Sequence, residues 1–567
     1  MVALAHVVAV LISWLAFTAV TVASGYATRR TLCRAAGLPG SLAPCRADLW
    51  IGLGAIVGYL QVWSLFAGIT WVTWIIPLTT VPLLVRTVWR VRESATERLG
   101  ELRSRLVGIA VAAGAIVFVA DRSLGKAEDY DLGLYHLQVI EFSTRYAAIP
   151  GLGNLHDRLA VSNPHLLLAA FLDTGPWNHL GYHLLNGWLL AALIVEVTAR
   201  LLIRPSGRDS FATTLSALVP LALIPSVVGA WGYRVADPNL DAAAFILVVV
   251  GTLYLVDVFE SAQAFLPLLA GGALIATVAA QRPLYWGWAL AVGVVVGVGR
   301  RSVVLRGRRR WISAVVIPLL LGVGMAARQV VLSGYPAFPL TWARVAVDWA
   351  MPAASLRHYS DFVTWWARWP GKPEAATGWG WLGHWGSQRL DDLDVMPALL
   401  VIAIALTLRT SQGHRRRSEG FDRFAVLVVI APAVVTLVLW FFTAPDPRFA
   451  LPAIWLLALG ALAWALPGAR LPVPLSIGVG LVAAVMVVIV LGKVGMTAIR
   501  PVAPNDGGPL GIEPARRPGL VAWNVPGLTL SHPDGTDQCW SEIACTAYDP
   551  SGLIRRGKTL ADGYSRR

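Results

Sequence analysis

Long apolar runs alternate with short polar segments along the whole chain. The runs are about 17–25 residues long, the length that an α-helix needs to cross roughly 30 Å of hydrocarbon. Charge-free runs such as Leu475–Leu491 show no alternation of polar and apolar positions, which argues against a transmembrane β-barrel. Because lipid offers no hydrogen bonds to the backbone, the runs must be helices. The pattern predicts an all-α polytopic membrane protein.

The number of runs predicts about fourteen transmembrane helices. They fall near residues 3–23, 49–67, 70–89, 106–121, 181–199, 210–228, 241–257, 263–280, 284–299, 312–332, 396–410, 424–443, 449–466 and 473–492.

Composition and charge support this assignment. Of the 567 residues 56% are hydrophobic and 14% are charged, which excludes an ordinary soluble protein. The net charge of +14 would suit nucleic acid, but the arginines concentrate in short loops between predicted spans. These are Arg29, Arg30, Arg34, Arg46, Arg200, Arg204, Arg208, Arg300, Arg301, Arg306, Arg308, Arg309, Arg310, Arg415, Arg416, Arg417 and Arg423. By the positive-inside rule these loops are cytoplasmic and both termini are outside, so we expect membrane lipid, and no nucleic acid, as a partner.

An acidic cluster, Glu128-Asp129-Tyr130-Asp131, follows the span at 106–121 on the predicted exterior face. Ionisable groups at a membrane are costly and tend to have a function. A carboxylate with a raised pKa can act as a general base, and we name Asp131 first and Asp129 second as catalytic candidates. Asp131 opens a predicted helix on which Tyr135 and Gln138 follow one and two turns later. The alternative, that the cluster only caps this helix, stays open.

Three exterior segments are too long to be simple connectors: 122–180, 333–395 and the tail 501–567. The first predicts two surface-lying helices, near 132–146 and 162–172. The tail holds Cys539 and Cys545, which predict a disulfide that pins a small cap. The segment 333–395 contains eight of the 25 tryptophans. They form either an interfacial aromatic belt or a wall that contacts an isoprenoid chain or a sugar. They are Trp342, Trp349, Trp365, Trp366, Trp369, Trp379, Trp381 and Trp385.

Arginines in exterior turns are the candidates for a phosphate site. Arg448 lies in a short, Pro-stiffened turn where Asp446 can orient its guanidinium, whose planar fork suits two phosphate oxygens. Arg282 and Arg234 are reserves, and a purely structural Asp446–Arg448 pair is the alternative. His156 and Arg158, which follow the Pro150–Asn154 glycine turn, are candidates for contacts to sugar or phosphate. Neither cysteine pair has C-x-x-C spacing and no H-E-x-x-H motif occurs. His179 and His183 lie four residues apart, a spacing that could bind a metal, but interfacial hydrogen bonding is the preferred interpretation. No metal ligand is therefore predicted and no cofactor is implied with certainty, while a divalent cation is left open.

The chain resembles the GT-C glycosyltransferases, integral-membrane enzymes that use polyprenyl-phosphate-linked sugars. The resemblance rests on the topology and on three motifs: Asp129-Tyr130-Asp131-Leu132-Gly133-Leu134-Tyr135-His136, residues 150–156, and Gln538-Cys539-Trp540. It implies a seven-helix catalytic core at 106–332 that includes the exterior loop 122–180. Around the core it implies added N-terminal helices at 1–105, the Trp-rich loop 333–395, C-terminal helices at 396–500 and the exterior tail 501–567. The chain lacks the Trp-Trp-Asp motif of oligosaccharyltransferases, which argues against a protein-Asn acceptor.

This resemblance implies an enzyme that moves a sugar from a polyprenyl-phosphate donor to an extracytoplasmic hydroxyl of a cell-envelope glycan or glycoconjugate. A composition rich in Ala, Val, Arg and Gly is typical of high-GC bacteria, in which envelope polymers that carry arabinose or mannose are expected. The expected sugar is therefore arabinofuranosyl or mannosyl. The expected substrate contacts are Glu128, Tyr135, His136, Gln138, His156, Arg158 and Asp446. We expect a multi-pass protein of the bacterial inner membrane with its active site on the extracytoplasmic face. A transporter or flippase of lipid-linked sugars and a lipid-linked glycan ligase are the alternatives. A transporter would carry ionisable groups in mid-span and often two repeated halves, whereas the sequence has almost no charge in mid-span and no repeat.

Overall fold

The computed structural model describes residues 2–38, 43–91, 106–127, 129–177, 179–202, 210–228, 231–300, 307–390, 392, 394–411, 421–466, 511–512, 518–525 and 528–567. Its α-helices in the first half are α1 (Val2–Ala35), α2 (Ala47–Trp63), α3 (Ile75–Thr79), α4 (Val81–Val91), α5 (Leu106–Ser123), α6 (Leu137–Arg145), α7 (Pro164–Asp173), α8 (His183–Leu202), α9 (Phe211–Val228), α10 (Trp231–Ala236) and α11 (Leu240–Glu260). The second half contains α12 (Phe265–Gln281), α13 (Tyr285–Gly299), α14 (Arg308–Ser333), α15 (Ala353–Arg368), α16 (Leu382–Arg389), α17 (Met396–Ser411), α18 (Arg423–Thr443) and α19 (Pro447–Ala465).

The structure confirms a mainly helical membrane protein. Within the described ranges, 8 helical segments are long and apolar enough to cross a membrane. They are Leu4–Ala35, Trp71–Arg90, Leu106–Ser123, His183–Leu202, Leu240–Glu260, Arg308–Ser333, Arg423–Thr443 and Pro447–Ala465. Five other predicted spans coincide with the shorter apolar helices α2, α9, α12, α13 and α17. The predicted span at 473–492 lies outside the described residues, and the total of fourteen stays a prediction.

Helix α11 forms the centre of the helical bundle. It is apolar on all sides and buried along nearly its whole length, as expected for a helix surrounded by other helices. It packs against α8, α9, α12, α18 and α19. Helices α13 and α17 expose large apolar side chains such as Leu290 and Leu400, as lipid-facing helices do. The bundle therefore has a buried centre and an apolar outer surface.

Buried ion pairs join helix ends that the charge pattern assigns to the cytoplasmic side. Arg200, near the end of α8, lies 2.7 Å from Glu196 and 2.9 Å from Asp257, near the end of α11. Arg46, directly before α2, lies 3.5 Å from Glu196. Helix ends that the positive-inside rule assigns to the same side of the membrane therefore contact each other. These groups are paired near helix ends, where the cost of burying charge is offset by the partner.

The segment 122–180 contains both predicted exterior helices. A π-helical turn over Leu132–His136 leads into α6, and α7 begins at Pro164 after Asn163, whose side chain accepts a hydrogen bond from the His165 amide at 3.1 Å. All of α7 is buried against α2, α6, α8 and α12. The expectation that α7 lies on the surface is therefore wrong. Its apolar face is covered by protein because four helices converge on it.

The tail contains short strands in addition to the helical bundle. Strands β1 (Leu520–Val525) and β2 (Leu528–Pro533) form one antiparallel hairpin, and β3 (Leu553–Arg555) pairs with β4 (Tyr564–Arg566). The predicted disulfide between Cys539 and Cys545 is present. The helical prediction holds for the spans, whereas the described part of the tail is a small disulfide-linked unit with β-structure.

Candidate active site

The acidic loop after α5 is tied to the start of α11. The Asn239 side-chain amide donates to the Asp129 carboxylate, and the Asp129 backbone amide donates to Asp237 at 3.2 Å. The Asp131 amide in turn donates to Asp129 at 3.2 Å. Asp129 is therefore used to shape the loop, and the Asp131 carboxylate is the one that projects from it.

Asn239 also organises the first turn of α11. Its side-chain oxygen accepts from the amides of Asp241 and Ala242 at 2.9 and 3.1 Å, which is an N-cap. Asp237, Asn239 and Asp241 are not among the site residues predicted from the sequence. The signal that could have found them is the Asp237-Pro238-Asn239-Leu240-Asp241 run, a helix-start pattern at a predicted exterior loop.

The Asp131 carboxylate lies between two guanidinium groups. Arg158 Nη1 is 3.8 Å from one carboxylate oxygen and Arg448 Nη1 is 4.0 Å from the other. The side chains keep 23% exposure for Asp131, 19% for Arg158 and 35% for Arg448. Both distances exceed a direct hydrogen bond, so the Asp131 carboxylate is held in the field of two cations without a hydrogen bond to either. The structure thus brings together three residues that the sequence named separately.

Arg448 is oriented by its own turn. Asp446 caps α19 by accepting from the Arg448 amide at 3.1 Å, and its second oxygen lies 3.1 Å from Arg448 Nε. Burial raises the pKa of the Asp446 carboxyl, while the Arg448 charge opposes that rise. Asp446 contacts Arg448 and is a positioning residue in this arrangement.

Arg282 joins Arg448 at the ring of Phe449. The Arg282 guanidinium lies 5.2 Å from the ring centroid and that of Arg448 lies 4.9 Å from it. Arg282 is also paired with Asp241. Two of the three predicted phosphate-binding arginines therefore meet, and a cation–π contact on a shared ring fixes both.

Arg234, the third arginine, is buried, and its charge acts on the Asp394 carboxyl, on which Asp241 and Asp446 also act. Burial raises the pKa of the Asp394 carboxyl, and the Arg234 charge opposes that rise. Arg234 therefore shares an electrostatic environment with Asp241 and Asp446.

Tyr135 and His136 are buried close enough to the carboxylates to be affected by their charge. The Arg158 guanidinium lies 5.7 Å from the Tyr135 ring centroid, and burial raises the pKa of the Tyr135 phenol well above its usual range. Burial lowers the pKa of His136, although Asp131, Asp129 and Asp241 act in the opposite direction. Both ring nitrogens of His136 are buried without a hydrogen-bond partner. Burial therefore favours a neutral imidazole at His136.

His156 and Arg158 come from the predicted glycine turn. Gly151 has φ of 65°, and a Cβ there would lie 2.0 Å from the Tyr564 carbonyl oxygen, so only glycine fits. His156 is buried and accepts from the Arg158 amide at 3.2 Å. Burial lowers its pKa to about 3, with the Arg158 charge acting in the same direction. The turn therefore presents Arg158 to Asp131 and keeps His156 neutral.

The tail covers the acidic loop directly. The Trp540 amide donates to the Gly133 carbonyl at 2.8 Å, and the Gln538 side chain donates to the Tyr130 carbonyl at 3.0 Å. Gln138 donates to the carbonyls of Glu542 and Cys545 at 2.7 and 3.0 Å. Gln138 holds the disulfide loop in place and faces away from the carboxylates, in contrast to the polar wall expected for it. The three motifs that carried the GT-C resemblance meet at one place.

The Trp-rich segment borders the site through the turn before α19. Trp385 Nε1 donates to the Pro445 carbonyl at 2.7 Å, and Trp381 is buried against Phe441. Trp342 and Trp379 are each 62% exposed. The tryptophans therefore divide into an inner group that supports the Arg448 turn and an outer group suited to lipid.

One predicted site residue, Glu128, lies outside the described residues. Among the described residues, no group of three or more His, Cys, Asp or Glu is arranged to hold a metal ion. A divalent cation therefore stays a prediction, for which the arginines offer an alternative source of positive charge.

Comparison with known sequences identifies one family. The family model described as a domain of unknown function, DUF8201, matches residues 7–455. The chain belongs to this family. The match covers Asp129, Asp131, Arg158, Asp241 and Arg448. Comparisons with curated proteins and with solved structures give no match.

Proposed function

We propose that this DUF8201 protein is a membrane glycosyltransferase of GT-C type that uses a polyprenyl-phosphate sugar. The observation that carries the proposal is the half-exposed Asp131 carboxylate, flanked at 3.8 and 4.0 Å by Arg158 and Arg448. A base for an acceptor hydroxyl and a cation for a donor phosphate are thus adjacent in one site. The resemblance in motifs and topology supports the same reaction.

The proposed reaction is a single displacement at the anomeric carbon. The acceptor oxygen forms a bond to that carbon as the bond to the phosphate oxygen breaks, and the electron pair leaves with polyprenyl phosphate. The acceptor proton passes to Asp131, and this general-base step typically contributes 10²–10⁴-fold, as an order of magnitude. Asp129 is fixed by Asn239 and acts here by positioning Asp131.

The donor phosphate is assigned to Arg448 and Arg282. Both guanidiniums lie on the Phe449 ring, and a pair of planar donors suits the charge that develops on the leaving phosphate. The exposed Trp342 and Trp379 offer apolar faces at which an isoprenoid chain can lie. The acceptor reaches the site from the exterior face, on which the acidic loop and the tail are expected to lie.

The test is the release of polyprenyl phosphate by purified protein in nanodiscs. A panel of polyprenyl-phosphate pentoses and hexoses is incubated with and without envelope glycan, and the lipid product is measured by mass spectrometry. We expect release from at least one donor, and no release by Asp131→Asn. A ligase would instead consume only donors that carry a whole glycan, and a transporter would move a donor across the bilayer without cleaving it. Either of these results would contradict the proposal.

A further inference from the structure

A second cavity lies beside the carboxylate site. Its volume is about 490 Å³, within the usual range for small-molecule sites. Three segments that are distant in sequence form its walls: the glycine turn at 153–157, the first turns of α15, and the tail around Tyr548. The tail therefore supplies one wall of this cavity.

The walls of this cavity are rich in polar side chains. Asn154, His156 and Asp157 form one wall. The atoms His156 Nε2, Asp157 Oδ1 and Asn154 Oδ1 are themselves buried behind that wall without a hydrogen-bond partner. His358, Ser355 and Asp549 add further polar groups on the opposite walls. The arrangement is that of a recognition site for hydrogen-bonding groups.

The charged side chains of the lining favour a neutral occupant over an anion. Asp157 and Asp549 are carboxylates and Arg566 is the one guanidinium of the lining. Burial lowers the pKa of His156 to about 3, so this imidazole adds no positive charge near neutral pH. Sugar hydroxyls can donate to carboxylates and to histidine nitrogen and can accept from serine, which matches this inventory.

The cavity is connected to Asp131 through two residues of one turn. His156 lines the cavity, and Arg158, two residues later, lies 3.8 Å from Asp131. The Tyr548 ring packs edge-on to His156 with centroids 4.4 Å apart, and Tyr548 also interacts with Arg158. Tyr548 therefore stands between the cavity and the carboxylate site.

We propose that this cavity is the acceptor subsite and binds a neutral oligosaccharide, with the tail supplying one wall. The assignment to an acceptor rests on the proposed glycosyl transfer, whereas the binding of a neutral glycan does not. A hydroxyl at the end of such a glycan would pass Tyr548 to reach Asp131. The tail then contributes to acceptor selection as well as to the fold.

The test uses full-length protein in nanodiscs and saturation-transfer NMR with neutral pentose and hexose trisaccharides, and a hexuronate trisaccharide as a charged comparison. We expect wild type to bind at least one neutral trisaccharide and the charged one more weakly. Ser355→Trp fills the cavity and should weaken binding by about tenfold or more. Ser360→Trp, on the same helix but exposed and outside the cavity, is the matched control and should stay within about twofold of wild type.

Asp549→Asn gives a second, gentler probe. Its side-chain oxygen can still accept from Ser551, as Asp549 does at 2.9 Å, so folding should survive while binding weakens by roughly threefold. Binding that is retained in Asp131→Asn, together with no polyprenyl phosphate release by wild type, would support the cavity and contradict glycosyl transfer. Failure of wild type to bind any neutral trisaccharide, or equal binding by Ser355→Trp, overturns the inference whatever the outcome for turnover.

Discussion

The Asp131 carboxylate lies 4.0 Å from the Arg448 guanidinium, although the two residues lie on opposite sides of the central helix in sequence. Arg448 is held by Asp446 and Asp131 is held by the Asp129–Asn239 contact, so neither side chain depends on the other for its position. Because each side chain is held by its own contacts, Asp131 or Arg448 can be substituted without displacing the other. Their functions can therefore be separated by mutation.

Asp131→Asn should lower kcat by roughly 10²-fold or more, because the amide cannot accept the acceptor proton. The change is nearly isosteric and the side chain is partly exposed, so the thermal midpoint should change little. The measurement is the rate of polyprenyl phosphate release at saturating donor. Asp361→Asn, an exposed carboxylate on α15, is the matched control and should keep full turnover. Full turnover by Asp131→Asn would remove the general-base assignment.

Arg448→Ala should mainly raise the donor KM, because it removes a charge-assisted contact to phosphate. A loss of this kind corresponds to roughly 10- to 100-fold in KM. Arg448→Lys should recover part of the affinity, since a lysine keeps the charge but loses the planar fork. Initial rates over a donor series measure both constants, with the exposed Arg357→Ala as control. A fall in kcat with an unchanged donor KM would contradict the assignment of Arg448 to donor binding.

The helical spans could be predicted because the bilayer fixes their length, and α8, α11 and α14 lie where the apolar runs indicated. Burial of α7 could not be predicted, because apolar side chains are equally suited to contact with lipid and to contact with protein. The strands of the tail were missed for a related reason. They are three to six residues long and are stabilised by the disulfide and by the acidic loop as well as by their own pairing.

Asp131, Arg158 and Arg448 could be predicted individually, because a charge in an exterior turn of a membrane protein is informative in itself. Their mutual contact could not, since it depends on how three separate turns pack. Asp241 was missed because a single acidic residue in the first turn of a helix is a common feature of helix starts and does not by itself indicate a site. Arg282, which was predicted from the sequence, forms an ion pair with Asp241.

The side of the membrane on which the site lies is testable by thiol labelling. Lys126→Cys and Glu374→Cys, both at exposed positions, should react with an impermeant reagent in intact cells. Arg308→Cys should react only after permeabilisation, because its Arg-rich segment is predicted to be cytoplasmic. Cys33 and Cys45 are replaced by serine first to remove background. The reverse labelling pattern would place the carboxylates in the cytoplasm, where the proposed acceptor is absent.

Gly133→Ala should detach the tail from the acidic loop. A Cβ at Gly133 would lie 2.9 Å from Trp540 Cε2 and 3.0 Å from Gln538 Cδ, so one of the two must move. Overpacking of this kind costs about 1–3 kcal/mol. Trypsin cleavage at Arg555 and Arg556 in the tail reports the detachment and should become faster. In Gly114→Ala, where a Cβ would meet nothing within 4 Å, cleavage should remain at the wild-type rate.

Acid should destabilise the glycine turn through His156. Burial lowers the folded pKa of His156 to about 3 from its ordinary 6.5, so between these values the unfolded chain binds a proton that the folded chain does not. The free energy of unfolding therefore falls as the pH drops from about 6.5 toward 3, and the full value is kept above 6.5. Burial also raises the pKa of Asp157, which acts in the opposite direction.

His156→Asn separates these two effects, because Asp157 is present in both proteins and largely cancels in the comparison. The asparagine oxygen can still accept from the Arg158 amide, as His156 Nδ1 does at 3.2 Å. We expect the variant to lose less stability than wild type between pH 7 and pH 4, measured as thermal midpoints in nanodiscs at fixed salt. His358→Asn, which removes an exposed histidine of the same cavity, is the matched control. Parallel curves for wild type and His156→Asn would show that His156 titrates with the same pKa in the folded and unfolded chain, and would contradict its burial as the cause.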